Sequence, residues 1–86
     1  MKFLLISFAS RNDVYSFSNI LKRNNISIRI INTPKAVGSS CTLSIKTNFE
    51  NFQHIAQLLN IYKPKSFQGV YSINNSNYGS QAIKLI

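Results

Sequence analysis

The sequence predicts one small α+β domain in which strand and helix patterns follow one another in the order βαββαβ. Its 86 residues allow a single core. Two segments carry apolar residues at helical spacing, and four carry continuous or alternating apolar residues. This order is typical of the split βαβ, or ferredoxin-like, arrangement, in which two helices pack on one face of a four-stranded antiparallel sheet. We expect the domain in residues 1–73 and a C-terminal extension in residues 74–86.

The first half of the chain predicts a strand, a helix and a second strand. Residues 3–8 form an almost continuous apolar run, which is typical of a buried strand and is too short for a secretory signal core. Apolar residues recur at helical spacing from Arg11 to Asn24. Ser10, three residues before Asp13, is expected to cap this helix. The alternation from Ile26 to Ile31 predicts the second strand.

The second half of the chain also contains a segment of alternating polar and apolar residues. Residues 42–46 predict a third strand, which would pair with the second or the first. A Thr-x-x-Glu capping box opens a predicted helix over residues 47–62. Residues 66–73 predict a fourth strand, in which Gly69 indicates a bulge or a close approach. Residues 81–86 are expected to form an edge strand or a loosely attached tail.

The chain is strongly basic, with ten Lys and Arg against two acids and a formal net charge of +8. Such a balance makes RNA, an acidic protein or a membrane surface a partner to consider. The basic residues are spread along the chain and form no block. No apolar stretch approaches the roughly 20 residues that cross a bilayer, so we expect no membrane insertion.

The chain has one cysteine, Cys41, in the run Gly38-Ser39-Ser40-Cys41. One cysteine can form neither an internal disulfide nor a thiol metal cluster, and it cannot hold an iron–sulfur centre. This usage favours a reducing, cytoplasmic location.

The loop before Cys41 contains Pro34, which disfavours helix just before it, and Gly38, which permits a bend. Lys35 and Lys46 are close enough in sequence to add positive potential, which lowers the pKa of a thiol. From the residues alone, a second interpretation stays open, in which Cys41 is a small buried hydrophobic residue.

The motifs from the second strand to the cysteine carry a resemblance to a known family. The strand leads to Pro34 and the basic Lys35, and then to Ser39-Ser40-Cys41. This pattern resembles the small selenium/sulfur (Se/S) carrier protein-like family, as does the later Gly-Val-Tyr of the fourth strand. The resemblance covers about residues 1–73. It departs at Gly38, where the family has serine, and at Thr42, where the family tends to have glycine.

The resemblance implies a carrier that has no turnover of its own and needs no cofactor or metal. Cys41 would hold a sulfur or selenium atom as a persulfide or selenopersulfide, between a donor protein and an acceptor protein. It also implies roles for four neighbours. Ser39 and Ser40 would donate hydrogen bonds, Pro34 would fix the loop, and Lys35 would favour the anion.

Two other functions remain as alternatives. The first is a basic binding module for RNA or an acidic protein, with Cys41 merely structural. The second is a small subunit that forms a homodimer through a sheet edge. His54 could act as a base only if the fold brings it to the thiol. The two acidic residues each lie at the start of a predicted helix, and this position accounts for their presence. The aromatic residues fall mostly on core positions, which favours a role in core packing over stacking on RNA bases.

Overall fold

The computed structural model describes residues 2–38, 43–76 and 79–86. Its elements are β1 (Lys2–Phe8), α1 (Arg11–Arg23), β2 (Ile28–Asn32), β3 (Leu43–Asn48), α2 (Phe52–Tyr62), β4 (Phe67–Ser76) and β5 (Gly79–Lys84). Short 3₁₀ turns cover Lys35–Val37 and Phe49–Asn51. The predicted order of strands and helices is present, and one more strand follows it. No helix in the described part of the chain is long and apolar enough to cross a membrane.

The strands form one antiparallel sheet in the order β2-β3-β1-β4-β5. The prediction of a four-stranded sheet was wrong, because residues 79–84 pair with β4 from Ser76↔Gly79 to Tyr71↔Lys84. An unpaired β4 would expose a row of backbone N–H and C=O groups, and β5 satisfies them. The third strand, expected to pair with the second or the first, pairs with both.

The main core lies between the sheet and both helices. Alternate β1 residues Leu4, Ile6 and Phe8 are fully buried on this face. The ring of Phe8 lies 5.7 Å from the ring of Phe17, centroid to centroid. The helical members of the cluster are Val14, Phe17, Leu21, Ile55, Leu58 and Leu59. Each large apolar side chain buried here contributes about 1.5–3 kcal/mol, so both helices are held on this one face.

The opposite face of the sheet, called the open face below, carries no α-helix among the described residues. Phe3, Leu5 and Ile73 form a second buried cluster there. Partly buried residues pack against this cluster, namely Ile31, Val37, Tyr71 and Ala82. Val37 belongs to the connection between β2 and β3, so this connection takes the place that a helix takes on the other face.

The start of α1 differs from the expectation. Ser10 makes no side-chain capping hydrogen bond. Asp13 instead accepts two hydrogen bonds from Ser66, from the backbone N–H at 2.9 Å and from Oγ at 2.5 Å. These bonds hold the pKa of the Asp13 carboxyl below its usual value. Asp13 therefore joins the first turn of α1 to the turn that leads into β4.

The expected capping box at the second helix was also wrong. Thr47 lies inside β3, and its Oγ1 donates a hydrogen bond to the carbonyl oxygen of Ser27 at 2.8 Å. The chain then makes a 3₁₀ turn, and α2 begins at Phe52. The pairing of β3 with β2 extends the strand past the point where the local motif predicted a helix.

Gly69 shows both features that its position suggested. The pairing of β1 with β4 shifts register between Ser7 and Phe8, opposite Gly69. A Cβ added at Gly69 would lie 2.9 Å from Cε of Lys84 and 3.3 Å from the backbone oxygen of Ile86. The bulge and the close approach are confirmed.

Candidate functional site

The connection between β2 and β3 leaves the sheet at Asn32 and returns at Leu43, and these two residues are partners in the sheet. Pro34 has extended backbone, with φ −63° and ψ 147°. The Lys35–Val37 turn follows, and the N–H of Val37 donates to the carbonyl oxygen of Pro34 at 3.1 Å. Of the expected site residues, Ser39, Ser40 and Cys41 lie outside the described part of the chain, as does Thr42.

Gly38 ends the turn in the left-handed conformation, with φ 66° and ψ 27°. Its N–H donates to the carbonyl oxygen of Lys35 at 3.2 Å. A Cβ added at Gly38 would meet no atom within 4 Å. The glycine is therefore needed for the backbone conformation and not for space, and it sets the direction in which the chain enters the segment that carries Cys41.

The Lys35–Val37 turn lies over the open face. Val37 packs against the buried cluster of Phe3, Leu5 and Ile73. The same turn contacts β5, which is four strands away from β2 in the sheet order. The connection therefore extends across the sheet from its β2 edge toward its β5 edge. The described part of the connection therefore lies over the open face.

Buried hydroxyl groups lie beside the point where the connection returns to the sheet. Ser44 and Ser7 are cross-strand partners, both fully buried, and alternation places them on the open face. The Oγ atom of Ser44 lies 2.6 Å from Oγ1 of Thr33. Ser7 donates to Oε1 of Gln68 at 3.3 Å. These four polar side chains cross the sheet in one row.

This row of polar side chains was not predicted from the sequence. The sequence feature that could have indicated it is a serine at an inward-facing position of an apolar strand. Ser7 is such a residue, because the strand alternation places its hydroxyl in the sheet interior. Burying a hydroxyl costs free energy unless it is hydrogen-bonded, and every buried side-chain polar atom among the described residues has a partner. The row is a satisfied part of the sheet that borders the site.

Cations lie along the open face and on the turn that crosses it. Lys35 is exposed at the start of the turn. Lys46 lies on the open face, with its Nζ 4.5 Å from the ring centroid of Phe3. Arg29 is the cross-strand partner of Lys46. Lys84, on β5, lies beside Gly69. Of the two basic residues expected near Cys41, the structure places Lys35 on the turn over the open face and Lys46 in that face.

His54 lies on the other side of the sheet from the Lys35–Val37 turn. It is exposed on α2, which packs on the helix-covered face. The sheet lies between His54 and the Lys35–Val37 turn, so the geometry offers no support for His54 as a base. Among the described residues, no group of three or more His, Cys, Asp or Glu is placed to hold a metal ion.

One comparison with known proteins identifies the family. The sequence profile of the family described as "Putative Se/S carrier protein-like" matches residues 3–71. The match runs from β1 into β4, and it includes both helices and the whole connection between β2 and β3. The chain belongs to this family. β5 of this Se/S carrier-like chain lies outside the matched residues. No curated protein and no solved structure matches the chain.

Proposed function

We propose that this Se/S carrier-like chain holds a sulfur or selenium atom on Cys41, as a persulfide or a selenopersulfide. The observation that carries the proposal is the family match over residues 3–71, which spans position 41. A carrier of this kind needs one nucleophilic thiol, and Cys41 is the sole cysteine of the chain. The use of a free thiol fits the reducing cytoplasm, which we propose as the location.

The transfer is an exchange between thiolates. The Cys41 thiolate attacks the outer sulfur of a donor persulfide, the donor's S–S bond breaks, and the donor leaves as a thiolate. The new S–S bond joins Cys41 to the cargo atom. An acceptor thiolate then attacks that atom and releases Cys41 as a thiolate. The cargo atom keeps its oxidation state, so the cycle needs no redox cofactor, and a selenopersulfide donor delivers selenium by the same steps.

The described residues that precede Cys41 support this chemistry. Pro34 holds the entry to the turn, and Gly38 directs the chain into the segment that bears the thiol. The ammonium group of Lys35 favours an anion nearby, which lowers the pKa of a thiol and raises the fraction of reactive thiolate. In this proposal Ser39 and Ser40 donate hydrogen bonds to the thiolate or the loaded persulfide.

Intact mass measurement tests the proposal. Native protein and the Cys41→Ser variant are incubated with a cysteine desulfurase and either cysteine or selenocysteine. We expect a gain of one sulfur or one selenium atom in the native protein, removed by a reducing agent and absent from the variant. A native Cys41 that stays unmodified and also resists alkylation in the folded protein would show a structural thiol and contradict the proposal.

The pH dependence of alkylation tests the role of Lys35. Removing its charge in Lys35→Gln is expected to raise the pKa of the Cys41 thiol, so the alkylation rate should rise at higher pH than in the native protein. Lys22→Gln is the matched control, because it removes the same charge from the exposed end of α1. An equal pH profile for native protein and Lys35→Gln would exclude this role.

A further inference from the structure

The open face carries a pair of like charges that the sheet does not neutralise. Arg29 of β2 and Lys46 of β3 are direct cross-strand partners, an arrangement that destabilises a sheet. The chain has two acids, and both lie on helical segments. Asp13 is hydrogen-bonded to Ser66, and Glu50 is in a 3₁₀ turn. A carboxylate on another molecule would be attracted to both cations.

The pair is partly preorganised. The Nζ of Lys46 lies over the ring of Phe3, which restricts the lysine side chain. Arg29 and Lys46 line a cleft of about 210 Å³, together with Ser27, Ile28, Thr47 and Asn48. This volume is below the roughly 300–1,000 Å³ of a typical small-ligand pocket. A cleft of this size suits one or two side-chain carboxylates better than a drug-sized ligand.

The remaining cations favour a macromolecule over a small anion. Lys84 lies on the open face at β5, four strands from Arg29 in the sheet order. That separation is about 19 Å, which one small anion cannot bridge. Lys35 lies on the turn that crosses the same face. An extended acidic segment would contact several of these cations and pass close to the thiol-bearing connection.

The aromatic residues favour a protein over RNA. Recognition of single-stranded RNA uses exposed rings on which bases stack. Among the described residues, the exposed aromatic side chains are Tyr15, Phe49 and Tyr62, and all three lie on helical segments. On the open face, Phe3 is 8% exposed below Lys46. Tyr71 on the same face is partly buried, so the described part of this face offers cations without a fully exposed ring.

We propose that the open face docks an acidic segment of the protein that donates sulfur or selenium, with Arg29 and Lys46 as its anchor. The identity of the partner as a donor rests on the function proposed above. The docking surface itself rests on the cross-strand cation pair, its cleft and the cations along the face. Docking there places the donor on the face that the Lys35–Val37 turn crosses.

Binding is tested with two labelled probes, a polyglutamate peptide and an oligouridylate RNA, by fluorescence anisotropy. The open-face variant is Arg29→Gln with Lys46→Gln, and the matched control is Lys22→Gln with Arg23→Gln at the exposed end of α1. Each removes two charges from the formal net charge of +8. We expect the Kd for the peptide to rise about tenfold in the open-face variant and at most about twofold in the control.

Two binding results would overturn the proposal. Equal losses in both variants would show that the peptide responds to net charge and not to this face. Tighter binding of the RNA than of the peptide, weakened by the open-face variant, would show a nucleic-acid surface.

The loading reaction separates docking from the carrier function. We expect the ratio of the loading rate from a desulfurase to the rate from glutathione persulfide to fall about fivefold in the open-face variant and to stay constant in the control. An equal fall in both rates would place the effect on the thiol and refute docking. If Cys41 is never loaded but the peptide binds as expected, the carrier function is wrong and the docking surface stands.

Discussion

Replacing Gly38 with alanine tests the conformation that directs the chain into the Cys41 segment. Gly38 has φ 66°, and a Cβ there would touch no atom within 4 Å. Crowding therefore contributes nothing, and the whole effect comes from the backbone. The left-handed conformation costs an L-residue about 1–2 kcal/mol. The lower entropy of the unfolded alanine chain offsets about 0.4–1 kcal/mol of this cost.

The expected net loss for Gly38→Ala is about 1 kcal/mol in the free energy of unfolding. For a domain of this size that loss lowers the Tm by about 4–8 °C. Asparagine enters the left-handed region more readily than alanine does. We therefore expect Gly38→Asn to lose about half as much, which gives the stability order Gly, Asn, Ala.

Urea unfolding followed by circular dichroism measures this order, and the alkylation rate of Cys41 reports any change at the site. Gly69 is the matched control, because an added Cβ there would lie 2.9 Å from Cε of Lys84 and 3.3 Å from a backbone oxygen. At Gly69 the larger asparagine should cost more than alanine, the reverse of Gly38. A Gly38→Ala variant as stable as the native protein, or the same order at both glycines, would refute the reasoning.

Four further substitutions, in three experiments, test individual interactions of the fold. Asp13→Asn should lower the free energy of unfolding at pH values above the usual Asp pKa of about 3.9. This loss should shrink as the pH falls through the lowered pKa of Asp13, and urea unfolding across pH measures it. Ser66→Ala should weaken the same pH dependence of the unfolding free energy. Arg29→Gln should raise the free energy of unfolding by about 0.2–1 kcal/mol by removing the repulsion from Lys46, and a loss instead would contradict that repulsion. Ser44→Ala should lower the Tm through a loss of about 1 kcal/mol, because its buried hydroxyl contacts a threonine hydroxyl at 2.6 Å; an unchanged Tm would show that this contact contributes nothing.

The local elements were largely predictable, because their signals lie within a few neighbouring residues. The first helix was expected at Arg11 to Asn24 and spans Arg11–Arg23. The first strand was expected at residues 3–8 and spans Lys2–Phe8. Periodicity of apolar residues reports which side of an element is buried, and that information needs no knowledge of distant contacts.

The surroundings of the candidate site were predictable only in part. Pro34 and Gly38 were expected to shape a loop, and they bracket the Lys35–Val37 turn. The buried hydroxyls of Ser7 and Ser44 were missed, since their significance depends on the pairing of β1 with β3. The placement of Cys41 stays a prediction.

By itself, the sequence determined the α+β class, the order of the first six elements, the strong positive charge and the lone thiol. The tertiary structure alone decided that residues 79–84 join the sheet and that the connection between β2 and β3 crosses the open face. It also decided that Asp13 binds Ser66, which is 53 positions away. Each of these features depends on groups far apart in the chain. Local patterns of polarity report which residues are buried but not which distant partner buries them.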